Sequence, residues 1–261
     1  MHDHRKKLEW ARKHLDALEK SMGIFFDSTP YHLSIKFNPE TGANEARVVN
    51  LRKIDPDWSM MVGDIIHAMR SSLDSLVYAL VVKGQGVAPT DYKILRAIQF
   101  PISDGPENFK TECYRIALVP DLAKTAIEGL QPYKRRMPHH PLAVLRDLAN
   151  IDKHRHIILT YHRATDVSIK IFGPNIPVGA KFGSGFAGRI EEGTLIGSVT
   201  VYPFEGAFPV PLPPKMHVDP RFTLAVHLSA GKHSGKLLPG LGRIWHTIDR
   251  DVFPELEGFL E

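Results

Sequence analysis

Cysteine is nearly absent from this sequence, which contains only Cys113 among its 261 residues. A single cysteine excludes a disulfide framework and a cysteine-based zinc site within the chain, and it is typical of a reducing compartment. Long apolar runs are also missing, since the longest, residues 76–82, is far shorter than the roughly 20 residues that span a bilayer. Residues 1–7 are charged and carry no signal-peptide pattern. We therefore expect a cytoplasmic protein with no membrane partner.

Several motifs of nucleotide and hydrolase chemistry are missing as well. The sequence has no Gly-x-x-x-x-Gly-Lys-Ser/Thr phosphate loop, no Gly-x-Gly-x-x-Gly dinucleotide motif and no Gly-x-Ser-x-Gly nucleophile elbow. Its composition is that of an ordinary globular protein, with 43% hydrophobic and 24% charged residues. The formal net charge of +4 and the 14 histidines permit an RNA or phosphate partner without requiring one.

Hydrophobic periodicity predicts an α+β fold. Helical spacing indicates a first helix over 3–22 that stops at Gly23, a long helix over 58–83, and a further helix over 141–155. Between the first two helices, alternating apolar and polar residues indicate a β-hairpin at about 31–54. The first half of the chain is therefore expected to be a helical bundle with a β-hairpin insertion.

The pattern changes after residue 156, where β-branched and aromatic runs are separated by glycine and proline. Residues 235–261 then return to helical spacing. We expect a helical body over 1–160, followed over 161–261 by a β-rich part with a C-terminal helix, the two packed as one compact unit.

The long helix carries a polar stripe opposite its apolar face. At about 100° per residue, His67, Arg70 and Asp74 fall within a narrow arc, and Val77 and Val81 continue the same arc. A helix that is apolar on both sides is expected to be covered on both sides, which would place the three polar residues in a semi-buried pocket. Arginine would hold an anion there and histidine would transfer a proton. A structural salt bridge beside a surface histidine is the alternative interpretation.

A second polar cluster follows the apolar helix that begins at residue 141. Three ionisable residues extend the core face of that helix, namely Asp152, Arg155 and His156. The residues on its other side are Arg146, Asn150, Lys153 and His154. Lysine and arginine bind phosphate, asparagine orients it, and histidine works as an acid or a base near pH 7. The combination suits metal-independent cleavage of RNA. The alternative is a buried polar network that docks the end of the helix.

A metal site is a further interpretation of the same region. His154, His156 and His162 offer ring nitrogens, and Asp152 or Asp74 offers a carboxylate. The spacing lacks the His-Glu-x-x-His pattern of zinc-binding helices. We therefore predict neither a metal nor a cofactor.

Several stretches of the sequence resemble a known family. They are HLDALE at 14–19, GDIIHAMRSSLDSLV at 63–77, QFPI at 99–102, LQPY at 130–133 and NIDKHR at 150–155. Together they resemble a family of uncharacterised bacterial proteins, common in actinobacteria, over roughly residues 3–160. That family implies no particular chemistry.

A weaker resemblance is to HEPN domains, which are helical bundles and often ribonucleases. Seven residues separate Arg146 from His154, a longer separation than the Arg-to-His spacing of the HEPN signature. Asn150, Lys153 and His154 are similar to variants of that motif. The resemblance implies an RNA-directed activity without a metal.

These observations lead to one hypothesis about the site and one rival. In a ribonuclease, the candidate catalytic residues are His154, Asp74 and Asp152, and the candidate substrate-binding residues are His67, Arg70, Asn150, Lys153 and Arg155. In the rival, the same cluster is a salt-bridge network or a small-ligand pocket of a non-enzymatic module. The sequence leaves the oligomeric state open, a homodimer included.

Overall fold

The computed structural model describes most of the chain, namely residues 3–135, 137, 139–153, 157–163, 168–172, 181–184, 188–203, 206–213, 217–221, 224–230 and 233–261. The α-helices in these residues are α1 (Asp3–Asp27), α2 (Asp57–Gln85), α3 (Tyr92–Ala97), α4 (Pro106–Glu112), α5 (Asp121–Gly129), α6 (Pro132–Arg135), α7 (Pro141–Asp152), α8 (Leu237–Thr247) and α9 (Phe253–Glu257). A 3-10 turn at Cys113–Ile116 follows α4, and a π-helical turn at Ile248–Val252 joins α8 to α9.

The strands in the described residues are β1 (His32–Asn38), β2 (Ala43–Val49), β3 (Ile158–Arg163), β4 (Ser168–Phe172), β5 (Lys181–Ser184), β6 (Leu195–Thr200), β7 (His217–Arg221), β8 (Leu224–Ala230) and β9 (His233–Lys236). Helices with an inserted β-hairpin come first, strands follow, and a helical segment ends the chain. The predicted α+β fold is confirmed.

The chain divides into two compact units. Unit 1 contains Met1–Ser21, Asp55–Ile158 and Leu228–Glu261, and unit 2 contains Met22–Ile54 and Leu159–His227. The chain thus leaves unit 1 near the boundary expected at 160, but the hairpin belongs to unit 2 and the C-terminal helices belong to unit 1. The pattern of residues along the sequence does not predict this arrangement, because each unit is assembled from separate stretches of the chain.

Unit 2 is built around a four-stranded antiparallel sheet in the order β1-β2-β6-β5. Its hairpin places Ser34 opposite Arg47 and turns through Gly42, whose φ of 65° favours glycine. Strand β2 ends at Val49, earlier than the expected 54, because Asn50 adopts a left-handed conformation with φ 55°. A two-stranded antiparallel pair of β4 and β7 also lies in this unit.

Helix α2 is the central element of unit 1. Its first apolar face, from Ile65 through Leu73 to Leu80, is fully buried. Val77 and Val81, on the opposite arc, are equally buried. The prediction that α2 is covered on both sides in its second half is therefore confirmed.

The ends of two helices differ from expectation because glycine alone does not stop a helix. Gly23 lies inside α1, which ends near Thr29, a residue with φ 53°. Helix α2 continues past Gly84, where a Cβ would lie 2.7 Å from Pro120 Cγ, and is capped by left-handed Gly86. Gly84 thus permits a close approach, and Gly86 provides the stop.

Helix α3 lies within residues 84–106, whose several glycines and prolines predict mostly loop. The carboxylate of Asp91 accepts a hydrogen bond from the Lys93 backbone N–H and caps the helix. None of the residues of α3 is buried, so it carries no apolar stripe for periodicity to detect.

By length and composition alone, α2 is able to cross a membrane, since its most apolar 18-residue window has a mean hydropathy of 1.3. In the folded protein 56% of that window is buried. Such burial is consistent with the core helix of a soluble protein.

Side chains near the two ends of the sequence are hydrogen-bonded to each other within unit 1. The Glu257 carboxylate accepts hydrogen bonds from Arg5 Nε at 2.6 Å and from His4 Nε2 at 2.8 Å, and Arg5 Nη2 also bonds it. Burial raises the pKa of the Glu257 carboxyl, but the hydrogen bonds from Arg5 and His4 outweigh burial and hold the pKa below its ordinary 4.5. This carboxylate therefore stabilises the folded state when it is ionised.

Replacement of Glu257 should lower stability in a pH-dependent way. Because the folded-state pKa lies below 4.5, the stabilisation is present above pH 4.5 and is lost as the pH falls through the folded-state pKa. At neutral pH, Glu257→Gln should lower the free energy of unfolding by about 1–2 kcal/mol, measured by urea denaturation. The difference in the free energy of unfolding between Glu257→Gln and the wild type should become smaller below pH 4.5. The exposed Glu255→Gln is the matched control, and an equal, pH-independent loss in both variants would contradict the assignment.

Candidate functional site

A polar cleft of about 300 Å³ opens beside α2 in unit 1. Its walls come from α2, the segment after α3, the 3-10 turn and the end of α7. The lining residues are His67, Arg70, Ser71, Asp74, Gln99, Phe100, Ile102, Glu112, Arg115, Arg146, Ala149, Asn150 and Lys153. The polar stripe of α2 and part of the second polar cluster thus line one cleft.

Arg70 and Asp74 fasten the segment after α3 to α2. Arg70 Nη2 donates to Asp74 Oδ1 at 2.9 Å and to the Phe100 carbonyl at 2.6 Å. Asp74 Oδ1 also accepts the Phe100 backbone N–H at 2.8 Å. Burial lowers the pKa of the Arg70 guanidinium, Asp74 opposes that effect, and Arg115 lowers the pKa further. The pair therefore has a structural task in addition to lining the cleft.

Arg115 brings a second guanidinium to the cleft. Its Nη1 donates to Gln99 Oε1, and its Nε lies 3.8 Å from Glu112 Oε2. Nε is buried and has no hydrogen-bond partner among the described residues. An unsatisfied buried donor is uncommon in folded proteins and costs free energy unless a ligand or a solvent molecule satisfies it.

Arg146 projects a third guanidinium from α7. It donates from Nη2 to Asp104 Oδ2 at 2.7 Å and from Nε to Asp147 Oδ1 at 2.8 Å. Burial lowers the pKa of Arg146, but the hydrogen bonds that Arg146 donates to these two carboxylates outweigh burial and leave the pKa raised. Arg146 therefore stays charged at the wall of the cleft.

The cleft has more positive than negative charge. Arg70, Arg115, Arg146 and Lys153 line it, whereas its lining carboxylates are those of Asp74 and Glu112. The exposed Lys153 has no ion-pair partner among the described residues. Guanidinium groups and lysine in one concave site favour a bound anion, and phosphate above all.

The predicted site residues have three different outcomes. The structure brings His67, Arg70, Asp74, Asn150 and Lys153 together around the cleft. Asp152 does not line it. Its carboxylate lies against α2, and a Cβ built on Gly63 would be 2.8 Å from Asp152 Oδ1. His154 and Arg155 lie outside the described residues.

Sequence reasoning missed several residues of the cleft. Gln99 lies in the QFPI stretch at 99–102, which the sequence marks by resemblance but not as part of a site. Glu112 and Arg115 carry no local pattern that assigns them to the cleft. Arg146 precedes Asn150 by one helical turn on the same face of α7, so the spacing placed it beside the predicted site residues without assigning it to the site.

Potential metal ligands are not clustered in the part of the chain that the structure describes. No group of three or more His, Cys, Asp or Glu residues there could hold a metal ion. Asp74 is engaged by Arg70 and Phe100, His162 belongs to unit 2, and His154 and His156 fall outside the described residues.

No protein-family model, curated protein or solved structure matches this chain. The site is therefore interpreted from its own geometry.

Replacement of Asp74 should reveal its structural task. Asp74→Ala removes the acceptor shared by Arg70 and the Phe100 N–H, so the free energy of unfolding should fall by about 1–3 kcal/mol in urea denaturation. Asp74→Asn keeps an acceptor oxygen and should cost less. Asp64→Ala, an exposed aspartate on the same helix, is the control. If Asp74→Ala is no more destabilising than Asp64→Ala, the Asp74–Phe100 connection does not stabilise the fold.

Proposed function

We propose that the cleft of unit 1 binds a phosphate group, carried by RNA or by a smaller phosphate-bearing ligand. The observation that carries the proposal is the convergence of Arg70, Arg115, Arg146 and Lys153 on one concave surface that has only two lining carboxylates. Arginine binds phosphate through paired N–H donors, and lysine adds a point charge. Arg115 Nε lies 3.8 Å from Glu112 Oε2 but has no hydrogen-bond partner among the described residues, so it supplies a donor that a phosphate oxygen would satisfy.

RNA is the favoured source of this phosphate. The cleft is bordered by the exposed residues His67, Asn150 and Lys153, so an RNA bound through one phosphate would extend from the cleft into solvent. Side chains such as asparagine and lysine contact phosphate, sugar and base edges in protein–nucleic acid complexes. An RNA ligand also accords with the weak HEPN resemblance of the sequence and with the cytoplasmic location expected from it.

A metal-independent ribonuclease is the activity proposed for the bound RNA. A base removes the 2′-hydroxyl proton, the 2′-oxygen attacks phosphorus, and the bond to the 5′-oxygen breaks as an acid protonates it. The products are a 2′,3′-cyclic phosphate and a 5′-hydroxyl. His67 and His154 are the candidate acid and base, and the guanidinium groups stabilise charge on phosphorus. Asp152 does not line the cleft and has no role in this step.

The hydrogen bonds of Asp74 favour a second candidate. Because Oδ1 already accepts from Arg70 and Phe100, Asp74 acts in this view as a positioning residue and not as a proton acceptor. The cleft would then hold its phosphate ligand without cleaving it. This non-enzymatic protein would bind a small phosphate compound, as a monomer or as a homodimer.

Lys153 should contribute to RNA affinity without supporting the fold. In fluorescence anisotropy with a labelled RNA oligomer, Lys153→Ala should weaken binding several-fold and reduce the slope of log K against log salt by about 1. The exposed Lys93→Ala is the control and should bind as the wild type does. If RNA fails to bind while inorganic phosphate stabilises the protein against heat, the ligand is a small phosphate compound. If neither binds, the cleft is not a phosphate site.

Cleavage is tested with labelled RNA in the presence of a chelator. Wild-type protein should produce fragments ending in a cyclic phosphate, and His154→Ala or His67→Ala should slow cleavage by about 100-fold or more. Retained RNA binding in these variants would separate chemistry from binding. Cleavage that needs an added metal, or that is unchanged in both histidine variants, would refute the proposed mechanism.

A further inference from the structure

Unit 1 contains a second cavity, of about 170 Å³, which is not part of the cleft. It lies between α7, the segment 233–236 and the start of α8. Its floor is apolar and consists of Val144, Leu148, Leu228, Leu237, Leu241 and Ile244. An apolar floor of this kind favours a hydrocarbon or aromatic group.

The rim of this cavity is cationic. Lys236 and Arg243 line it, and neither has an ion-pair partner among the described residues. No aspartate or glutamate in the described part of the chain lines the cavity. The rim therefore favours a negatively charged group.

The start of α8 adds a positive field to this rim. Helix α8 spans 11 residues, and its N-cap residue, Lys236, makes no side-chain capping hydrogen bond. The first backbone N–H groups of a helix have no partner within the helix and attract anions. By itself this helix end would not define a site.

His233 provides an independent indication of a ligand. Only 7% of its side chain is exposed, and it lines the cavity. Its Nε2 bonds Asp147 Oδ2 at 2.8 Å, whereas its buried Nδ1 has no hydrogen-bond partner among the described residues. A buried ring nitrogen without a partner is costly, and a polar group of a ligand would satisfy it.

We infer that this cavity binds a small apolar carboxylate of about the size of benzoate. The apolar part lies against the leucine-rich floor, and the carboxylate faces Lys236, Arg243 and the start of α8. It also accepts a hydrogen bond from Nδ1–H of His233 in the imidazolium form, whose Nε2–H donates to Asp147. The volume supports this size, because an engineered apolar cavity of about 150 Å³ holds benzene. The inference is independent of the phosphate cleft and holds whether or not RNA binds there.

The test is a titration of the full-length protein with benzoate, followed by isothermal calorimetry and by the shift in Tm. We expect a Kd of about 1 mM or tighter, which is attainable for a ligand of this size. Benzamide has the same shape without the charge and should bind at least about tenfold more weakly. Inorganic phosphate should not displace benzoate, because phosphate has no apolar part.

Variants locate the bound benzoate. The double variant Lys236→Gln/Arg243→Gln changes two exposed side chains and should weaken benzoate binding about tenfold or more. Arg250→Gln, an exposed arginine that does not line the cavity, is the matched control and should leave the Kd unchanged. Val144→Phe fills the cavity from its apolar floor and should abolish binding, with circular dichroism reporting whether the variant is folded.

Three results would overturn the inference. They are no binding of benzoate at about 10 mM, a concentration well above the expected Kd; equal binding of benzoate and benzamide; and unchanged binding in the double variant. The first would show that the cavity has no such ligand. The second would show that the charge of the ligand is not recognised. The third would show that Lys236 and Arg243 do not recognise it.

Discussion

The burial of α2 on two opposite sides is the constraint on which the rest of unit 1 depends. Val77 and Val81 continue the arc of Arg70 and Asp74 into the core, so the polar pair cannot remain in bulk water. A partly buried ion pair must satisfy its remaining donors and acceptors. Arg70 and Asp74 do so by bonding each other and the backbone of Phe100, which fastens the segment after α3 to α2 and forms one wall of the cleft.

Two neighbouring residues of α7 connect the cleft with the second cavity. Arg146 lines the cleft and bonds Asp147, and Asp147 also accepts a hydrogen bond from His233 in the wall of the cavity. Asp147 thus accepts hydrogen bonds from one residue of the cleft and one residue of the cavity. Because Asp104 also bonds Arg146, two carboxylates hold this guanidinium in place at the wall of the cleft. Lys153 is the lining cation that has no ion-pair partner among the described residues.

Much of the fold was predictable where local pattern and burial agree. The hairpin, the long helix and the order of helical and β-rich parts follow from apolar periodicity and turn residues. The pattern failed at Gly23 and Gly84, because a glycine ends a helix only when its backbone adopts the left-handed conformation, as Gly86 does. It also failed for α3, which depends on the Asp91 cap and has no buried face. The division into units was not predictable, since it depends on pairing between distant strands.

Sequence alone determined the α+β class, the two apolar sides of α2 and the residues that share an arc with Arg70. It could do so because the period of a helix assigns each side chain to a face of its own element. Only the tertiary structure decided what each face meets. It brought Arg115 and Gln99 to the cleft, bound Asp74 to Phe100, and paired His233 with Asp147, a residue 86 positions away in the chain. Contacts between elements depend on packing of the whole core, which no local period encodes.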